Sequence, residues 1–207
     1  TRANDLYKQA IQRVRNGDIG KFAFGESSYH AGNPWDRQVE FMKADPKNPE
    51  NRLRAWGLDR VLSGDIITEQ NIHTLDVASW ILGEAPIQAW GLCGQKVRDD
   101  GGDVHDSFQV TFEYPNHIGL SFSSRQFEGY GTSEGIKNRM FGADGVLETE
   151  YGGNVMIRGK NAFEGGSTGN IFTDGCATNI AAFHKNIVEG NYENPTVECS
   201  VRSNLTT

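Results

Sequence analysis

Ser107-Phe108-Gln109-Val110-Thr111-Phe112-Glu113-Tyr114, a short Pro115-Asn116-His117 link, and then Ile118-Gly119-Leu120-Ser121-Phe122-Ser123-Ser124-Arg125 decide the fold. Phe108, Val110, Phe112 and Tyr114 alternate with Ser, Gln, Thr and Glu. Ile118, Leu120 and Phe122 then alternate with small or polar residues. A period of two places successive side chains on opposite faces of an extended chain, so the segment predicts a β-hairpin with one apolar and one polar face. The apolar face must be covered, and helices are the available cover. The polar face is left for water, a ligand or a second copy.

Outward from the hairpin, further strands are predicted at residues 21–29, 87–97, 136–142, 146–151 and 154–158, punctuated by Gly145 and Gly152-Gly153. A first helix is capped by Asn4 or Asp5, carries Leu6, Ala10, Ile11 and Val14 on one side, and ends at Asn16-Gly17. Residues 52–62 and 177–188 read as helices. So does the segment from Gly64 to Gly83. Residues 32–51 and 164–175, rich in Pro, Asn, Gly and Ser, read as surface excursions. The order is helix, strand, helices, a run of strands, helices. It predicts an α+β fold, with one largely antiparallel, open-faced sheet and helices packed on one face. No glycine-rich turn lies between a strand and a helix, so this chain is expected to lack a dinucleotide-binding domain. Gly142-Ala143-Asp144-Gly145 reads as a turn between two strands.

The 207 residues carry 37% hydrophobic and 23% charged side chains, ordinary for a globular protein, and a formal net charge of -7 that disfavours nucleic acid and anionic membranes as partners. No apolar run is long enough to span a bilayer. The three cysteines have no metal-site spacing and read as free thiols. The sequence starts at Thr1 without an initiator Met or leader. A helix opening at Asn194-Pro195-Thr196 reaches Thr207 without a terminating signal. The reading is a single substrate-binding and oligomerisation domain, residues 1–207, trimmed at both ends from a longer protein. The compartment stays open, cytoplasmic or periplasmic.

The chemistry concentrates in Gly64-Asp65-Ile66-Ile67-Thr68-Glu69-Gln70-Asn71-Ile72-His73-Thr74-Leu75-Asp76. On one helix, Glu69, His73 and Asp76 share a stripe through their spacings of four and three, while Ile67, Leu75, Ala78 and Leu82 form a core stripe. Histidine titrates near working pH, and a neighbouring carboxylate can orient it and favour its charged form. His73 is the candidate general acid/base and Glu69 its orienting partner. Asp76 is either a more remote partner of the site or a carboxylate used in packing. Trp35 and Arg37 can stack on and hydrogen-bond a hydroxyl-rich ring, or pin their loop. Arg125, on the polar face of its strand, either reaches substrate or serves a surface or interface.

The string Gly64-Asp65-(x)3-Glu69-Gln70-(x)2-His73-(x)2-Asp76-(x)3-Trp80-(x)2-Gly83 resembles the central motif of the Gfo/Idh/MocA oxidoreductases. The segments Arg2 through Lys21, Gly32 through Arg37, Ser124-Arg125-Gln126 and Ser203 through Thr207 resemble that family in the same order, the last three a branch with sugar-acting members. The resemblance implies a C-terminal domain of the glyceraldehyde-3-phosphate dehydrogenase-like type, with NAD or NADP held mainly by a separate N-terminal Rossmann domain. It implies His73 as the acid/base toward a substrate hydroxyl. Glu69 stands where the family usually has Asp. It further implies a sugar, polyol or glycoside as substrate, a homo-oligomer built through the open sheet face, and an inactive isolated domain. Two readings from other classes stay beside it. One is a metal-assisted sugar lyase or hydrolase using Glu69, His73 and Asp76 as ligands, although no second His follows at i+3 or i+4. The other is a non-catalytic sugar-binding or assembly domain.

Overall fold

The computed structural model describes residues 1–132, 135–193 and 196–207. Its frame is one eight-stranded sheet: β1 (Phe22–Ala31), β2 (Gln88–Gly94), β3 (Ser107–Tyr114), β4 (Ile118–Gln126), β5 (Gly135–Gly142), β6 (Gly145–Glu150), β7 (Asn154–Gly159) and β8 (Phe163–Ser167). Its order is β2-β3-β4-β1-β5-β6-β7-β8. Neighbours are antiparallel except β1 and β4, which run parallel with Tyr29 opposite Ser124 and His30 opposite Arg125. The sheet is therefore mixed, largely antiparallel as the alternation predicts, with a parallel seam at its centre. A parallel pair needs a long crossover. Here the whole stretch of helices and the β2–β3 hairpin lie between its two strands.

The helices are α1 (Asp5–Arg15), α2 (Val39–Ala44), α3 (Pro49–Arg54), α4 (Arg60–Ser63), α5 (Asp65–Glu69), α6 (Ile72–Leu82), α7 (Ile171–Glu189) and α8 (Thr196–Thr206). Helices α1 and α6 cover one face of the sheet. Tyr7, Ala10, Ile11 and Val14 of α1 and Leu75, Ala78 and Ile81 of α6 pack with Phe108, Phe112, Leu120, Phe122, Met140 and Leu147 from the strands. Each large apolar side chain so buried contributes about 1.5–3 kcal/mol. Alternate residues (Glu26, Ser121, Ser123, Arg139, Glu148, Arg158) stand on the other face.

Several local expectations change. Residues 32–51, read as an excursion, contain α2, the start of α3 and a 3₁₀ turn at Asp36–Gln38. Asn48 caps α3 by accepting from the Glu50 and Asn51 amides, and Pro49 opens it. The helix expected over 52–62 is broken. A 3₁₀ turn, Trp56–Leu58, divides it, and Asp59 caps a new start by accepting from Val61 and Leu62. Gly57 sits at that break because the Trp35 ring lies on it, and a Cβ there would stand 2.4 Å from the ring carbons. The excursion at 164–175 instead contributes strand β8 and the first turns of α7, so that, against expectation, a glycine-rich stretch (Gly165, Gly166, Gly169) does lead from a strand into a helix. Thr196 does open α8. Asn194 and Pro195, its expected cap and first-turn residue, lie outside the described residues.

The motif segment changes most. It is two helices, α5 and α6, with Gln70-Asn71 between them. The Asn71 amide reaches back to the Ile66 carbonyl, one residue beyond helical register. Asp65 holds φ at 70° in the left-handed region, where its carboxylate accepts from the Ile66 amide at 2.7 Å and the His105 amide at 3.0 Å. His105 Nδ1 lies 2.7 Å from the same carboxylate.

Candidate functional site

The head of α6 points toward the end of the sheet where β1 and β4 finish and β5 begins. Thr74 fastens the helix there. Its hydroxyl is 3.1 Å from Ser27 Oγ on β1, and Asn138 of β5 donates to it at 3.0 Å. One residue earlier, His73 keeps an exposed edge while its ring stacks on Tyr151, with centroids 5.9 Å apart and planes 28° apart. Tyr151 in turn meets Phe172 of α7 edge-on at 5.0 Å. Lost hydration pushes the His73 pKa below its ordinary 6.5, the amino terminus at Thr1 adds to that, and Asp76 partly offsets it. The neutral imidazole, which can accept a proton, is therefore the favoured resting form.

Glu69 ends α5. Because the helix breaks after it, the i/i+4 relation to His73 is lost, and no hydrogen bond joins them. Its carboxylate instead accepts a very short hydrogen bond from Gln70 Nε2. Gln70 Oε1 accepts from Tyr29 Oη at 2.5 Å. Burial raises the Glu69 pKa and the Gln70 donor opposes it. Tyr29 is pushed up to about 12, first by burial and then by the nearby Glu69 and Tyr151.

The other sequence candidates are placed apart. Asp76 accepts from Arg2 Nε at 2.9 Å and Nη2 at 2.8 Å, and Ser203 Oγ donates to it at 2.5 Å. Its acceptors are thus engaged in joining α6, α8 and the first residues of the chain. Trp35 is half-buried against Trp56, edge-on with ring centroids 4.9 Å apart, and pins its loop. Arg37 is exposed beside it. Arg125 donates to the Phe127 carbonyl at 2.7 Å and so holds the turn after β4. Among the described residues no group of three or more His, Cys, Asp or Glu gathers as a metal site. Glu69, His73 and Asp76 each face different partners, which weakens the metal-assisted reading.

Sequence reasoning passed over Tyr29, Gln70 and Tyr151. Tyr29 looks like an ordinary strand aromatic, and Tyr151 ends a strand. Gln70 directly follows Glu69, a spacing that does not share a helix face until the helix breaks. A groove of about 640 Å³ exists on the opposite, open face, lined by Glu26, Trp90, Thr111, Ser123, Arg139 and Glu148 among others. It does not include His73 or Glu69.

A family model described as the GFO/IDH/MocA C-terminal domain matches residues 7–148. The chain is similar in structure to myo-inositol 2-dehydrogenase from Lactobacillus plantarum, at 20% identity and a TM-score of 0.66, covering 98% of this chain and 57% of that one. An oxidoreductase from Thermotoga maritima aligns at 14% identity and a TM-score of 0.66, over 98% of this chain and 54% of its own. A 3-ketoreductase from Actinomadura kijaniata, solved with NADP and TDP-benzene, aligns at 14% and 0.66, over 96% and 55%. At these identities the likenesses establish the fold. The chain spans a little over half the length of these structures. Among curated proteins, none matches it.

Proposed function

Because the chain belongs to the GFO/IDH/MocA C-terminal domain family, we propose that it is the substrate-binding domain of a NAD(P)-dependent oxidoreductase acting on a sugar, polyol or glycoside, and that His73 carries the substrate proton. The observation that carries this reading is the half-desolvated yet solvent-reachable imidazole at the head of α6, neutral by its depressed pKa. A neutral ring at that place accepts a hydroxyl proton at its free nitrogen, and Tyr151 holds the ring plane. Glu69 is our candidate for a second proton-handling group. Trp35 and Arg37 follow the end of β1 and Arg125 lies near the end of β4, and on our reading a polyhydroxyl ligand meets them there. Asp76 would act on substrate only indirectly, by fixing the rotation of α6.

On our reading the nicotinamide dinucleotide is not held by the described residues. A pyrophosphate needs free glycine amides at the start of a helix. Gly142 to Gly145 joins two strands, and a Cβ on Gly142 would lie 2.1 Å from the Ile19 carbonyl oxygen. Gly165 and Gly166 of β8 and Gly169 after it do lead into α7, but there the Asn170 side chain already accepts from the Thr173 amide and Asp174 stands in the first turn of the helix. The cofactor would be held by a separate nucleotide-binding domain. The open sheet face is the surface proposed for assembly of copies.

The test joins the chain in one polypeptide to a nucleotide-binding domain of the family and screens a panel of sugars, polyols and glycosides for NAD or NADP reduction. With a substrate in hand, His73→Ala is expected to lower kcat by about 10²–10⁴-fold with an unchanged fold by circular dichroism. Wild-type turnover in that variant removes His73 from the mechanism. No turnover across the panel favours the non-catalytic sugar-binding reading.

A further inference from the structure

We propose that Tyr29 and Gln70 are positioning residues that hold the Glu69 carboxylate ionised and aimed. The inference rests on the reading of Glu69 as a proton-handling partner of the site. It follows from two contacts in series, neither of which is a helix-face relation.

Gln70 occupies the break between α5 and α6, where its side chain is free of helical packing and lies between two oxygens. The Tyr29 ring is buried beneath the break, and its hydroxyl meets Gln70 Oε1 at 2.5 Å. The opposite end of the amide, Nε2, donates to Glu69. An amide has one accepting and one donating end. While Tyr29 donates to Oε1, Nε2 is committed to Glu69, and a carboxylate facing an N–H donor is favoured in its charged, acceptor-only form. If Glu69 binds a proton it keeps one accepting oxygen for Nε2, so the contact can survive, but it loses its charge-assisted character; the Gln70 amide therefore favours the ionised form.

The surroundings leave Glu69 to this chain of contacts. The titratable and charged groups facing the junction are Tyr29 from β1, Tyr151 after β6, Cys176 of α7 beside Tyr151, the Asp65–His105 pair at the far end of α5, and His73 with Asp76 and the Thr1 amino group on the α6 side. Among the described residues no cation pairs with Glu69, whereas Arg2 holds Asp76. Among them it is the Gln70 amide that opposes desolvation of this carboxylate.

The test uses the 207-residue chain, with the Glu69 carboxyl carbon followed by ¹³C NMR as a function of pH. Gln70→Met keeps side-chain length and removes both polar ends, and Tyr29→Phe keeps the ring and removes only the hydroxyl. Both are expected to raise the Glu69 titration midpoint, Gln70→Met by more. Gln70→Glu is expected to couple the two carboxyls into a two-step titration. An unchanged or lowered midpoint in both single variants, with native amide spectra, overturns the proposal. A rise in Gln70→Met without any change in Tyr29→Phe overturns the part assigned to Tyr29. Should Gln70→Met lose its native spectrum, Tyr29→Phe alone decides. The titration reads no turnover, so it stands or falls separately from the fate of His73→Ala.

Discussion

At the scale of single residues, Glu69 and His73 are carried at a cost that pH exposes. Glu69 has its folded pKa raised above the ordinary 4.5 by burial. Below 4.5 both folded and unfolded chains hold the proton and the residue is neutral to stability. As pH rises through the folded value, the native state ionises a desolvated group and loses stability that it does not regain at higher pH. Glu69→Gln is therefore expected to raise the urea midpoint at pH 7, with the gain vanishing in acid. An unchanged or lowered midpoint at pH 7 would mean that the carboxylate is better solvated than its place at the end of α5 indicates. His73 has the opposite charge logic, a folded pKa below 6.5. Its cost appears as pH falls below that ordinary value and is complete below the folded one. Both residues were visible as candidates in the Glu-Gln-(x)2-His string. Their lack of a shared face was not, because residue spacing translates into a shared face only on an unbroken helix. The break lies at Gln70-Asn71, where the Asn71 amide reaches back to the Ile66 carbonyl and Gln70 accepts from a tyrosine hydroxyl on a strand 41 residues away in sequence.

At the scale of elements, the alternation in residues 107–125 gave β3 and β4, their turn and their apolar face directly, since period-two patterning is local. The parallel seam between β1 and β4 depends on where a distant strand inserts, and local patterning does not encode that. The same holds for α6 and α8, whose packing is set by side chains far apart in the chain. Arg2 forks onto Asp76, its guanidinium carbon lies 4.9 Å from the Trp80 ring centre, and Ser203 completes the carboxylate. Charge-assisted hydrogen bonds of this kind are worth about 1.5–3 kcal/mol when one partner is removed. Arg2 and Asp76 are each about a quarter or a fifth exposed, which places the expected loss for Asp76→Ala near ~2 kcal/mol in urea unfolding. Arg2→Met combined with Asp76→Leu should cost less than the two singles summed, because neither charge is then stranded. A substrate-facing carboxylate with no packing role would leave the unfolding midpoint unmoved.

At the scale of the whole molecule, the two faces of the sheet have different fates. The helix-covered face holds the core and, at its end, His73. The other face is left uncovered, and its charges are already balanced in rows. Arg158 pairs with Glu148 at 2.8 Å, Glu148 with Arg139 at 3.0 Å and Arg139 with Glu26 at 3.1 Å, a ladder across β7, β6, β5 and β1, with Lys137–Glu150 at 3.2 Å beside it. Phe24 stacks on Phe141 at 4.5 Å next to this ladder, and Trp90 and Leu92 stand 53% and 81% exposed on the edge strand β2. A face whose ions satisfy one another can be covered without stranding a charge, and aromatic side chains at its borders supply apolar area to bury. Two copies related by a two-fold axis would meet through such a face isologously, each placing its Trp90 and Leu92 against the other's sheet. Sedimentation equilibrium on the chain of 22.9 kDa is thus expected to return at least twice that mass. Trp90→Glu and Arg139→Glu should each shift the equilibrium toward the monomer, the first by adding an unpaired charge to an apolar border, the second by breaking the ladder at its centre and leaving Glu26 and Glu148 facing a third carboxylate. Neither change touches the helix-covered core, so both variants should keep the thermal unfolding profile of the monomer. A monomeric mass for the native chain at every loading concentration would show that this face is covered by something other than a copy of itself.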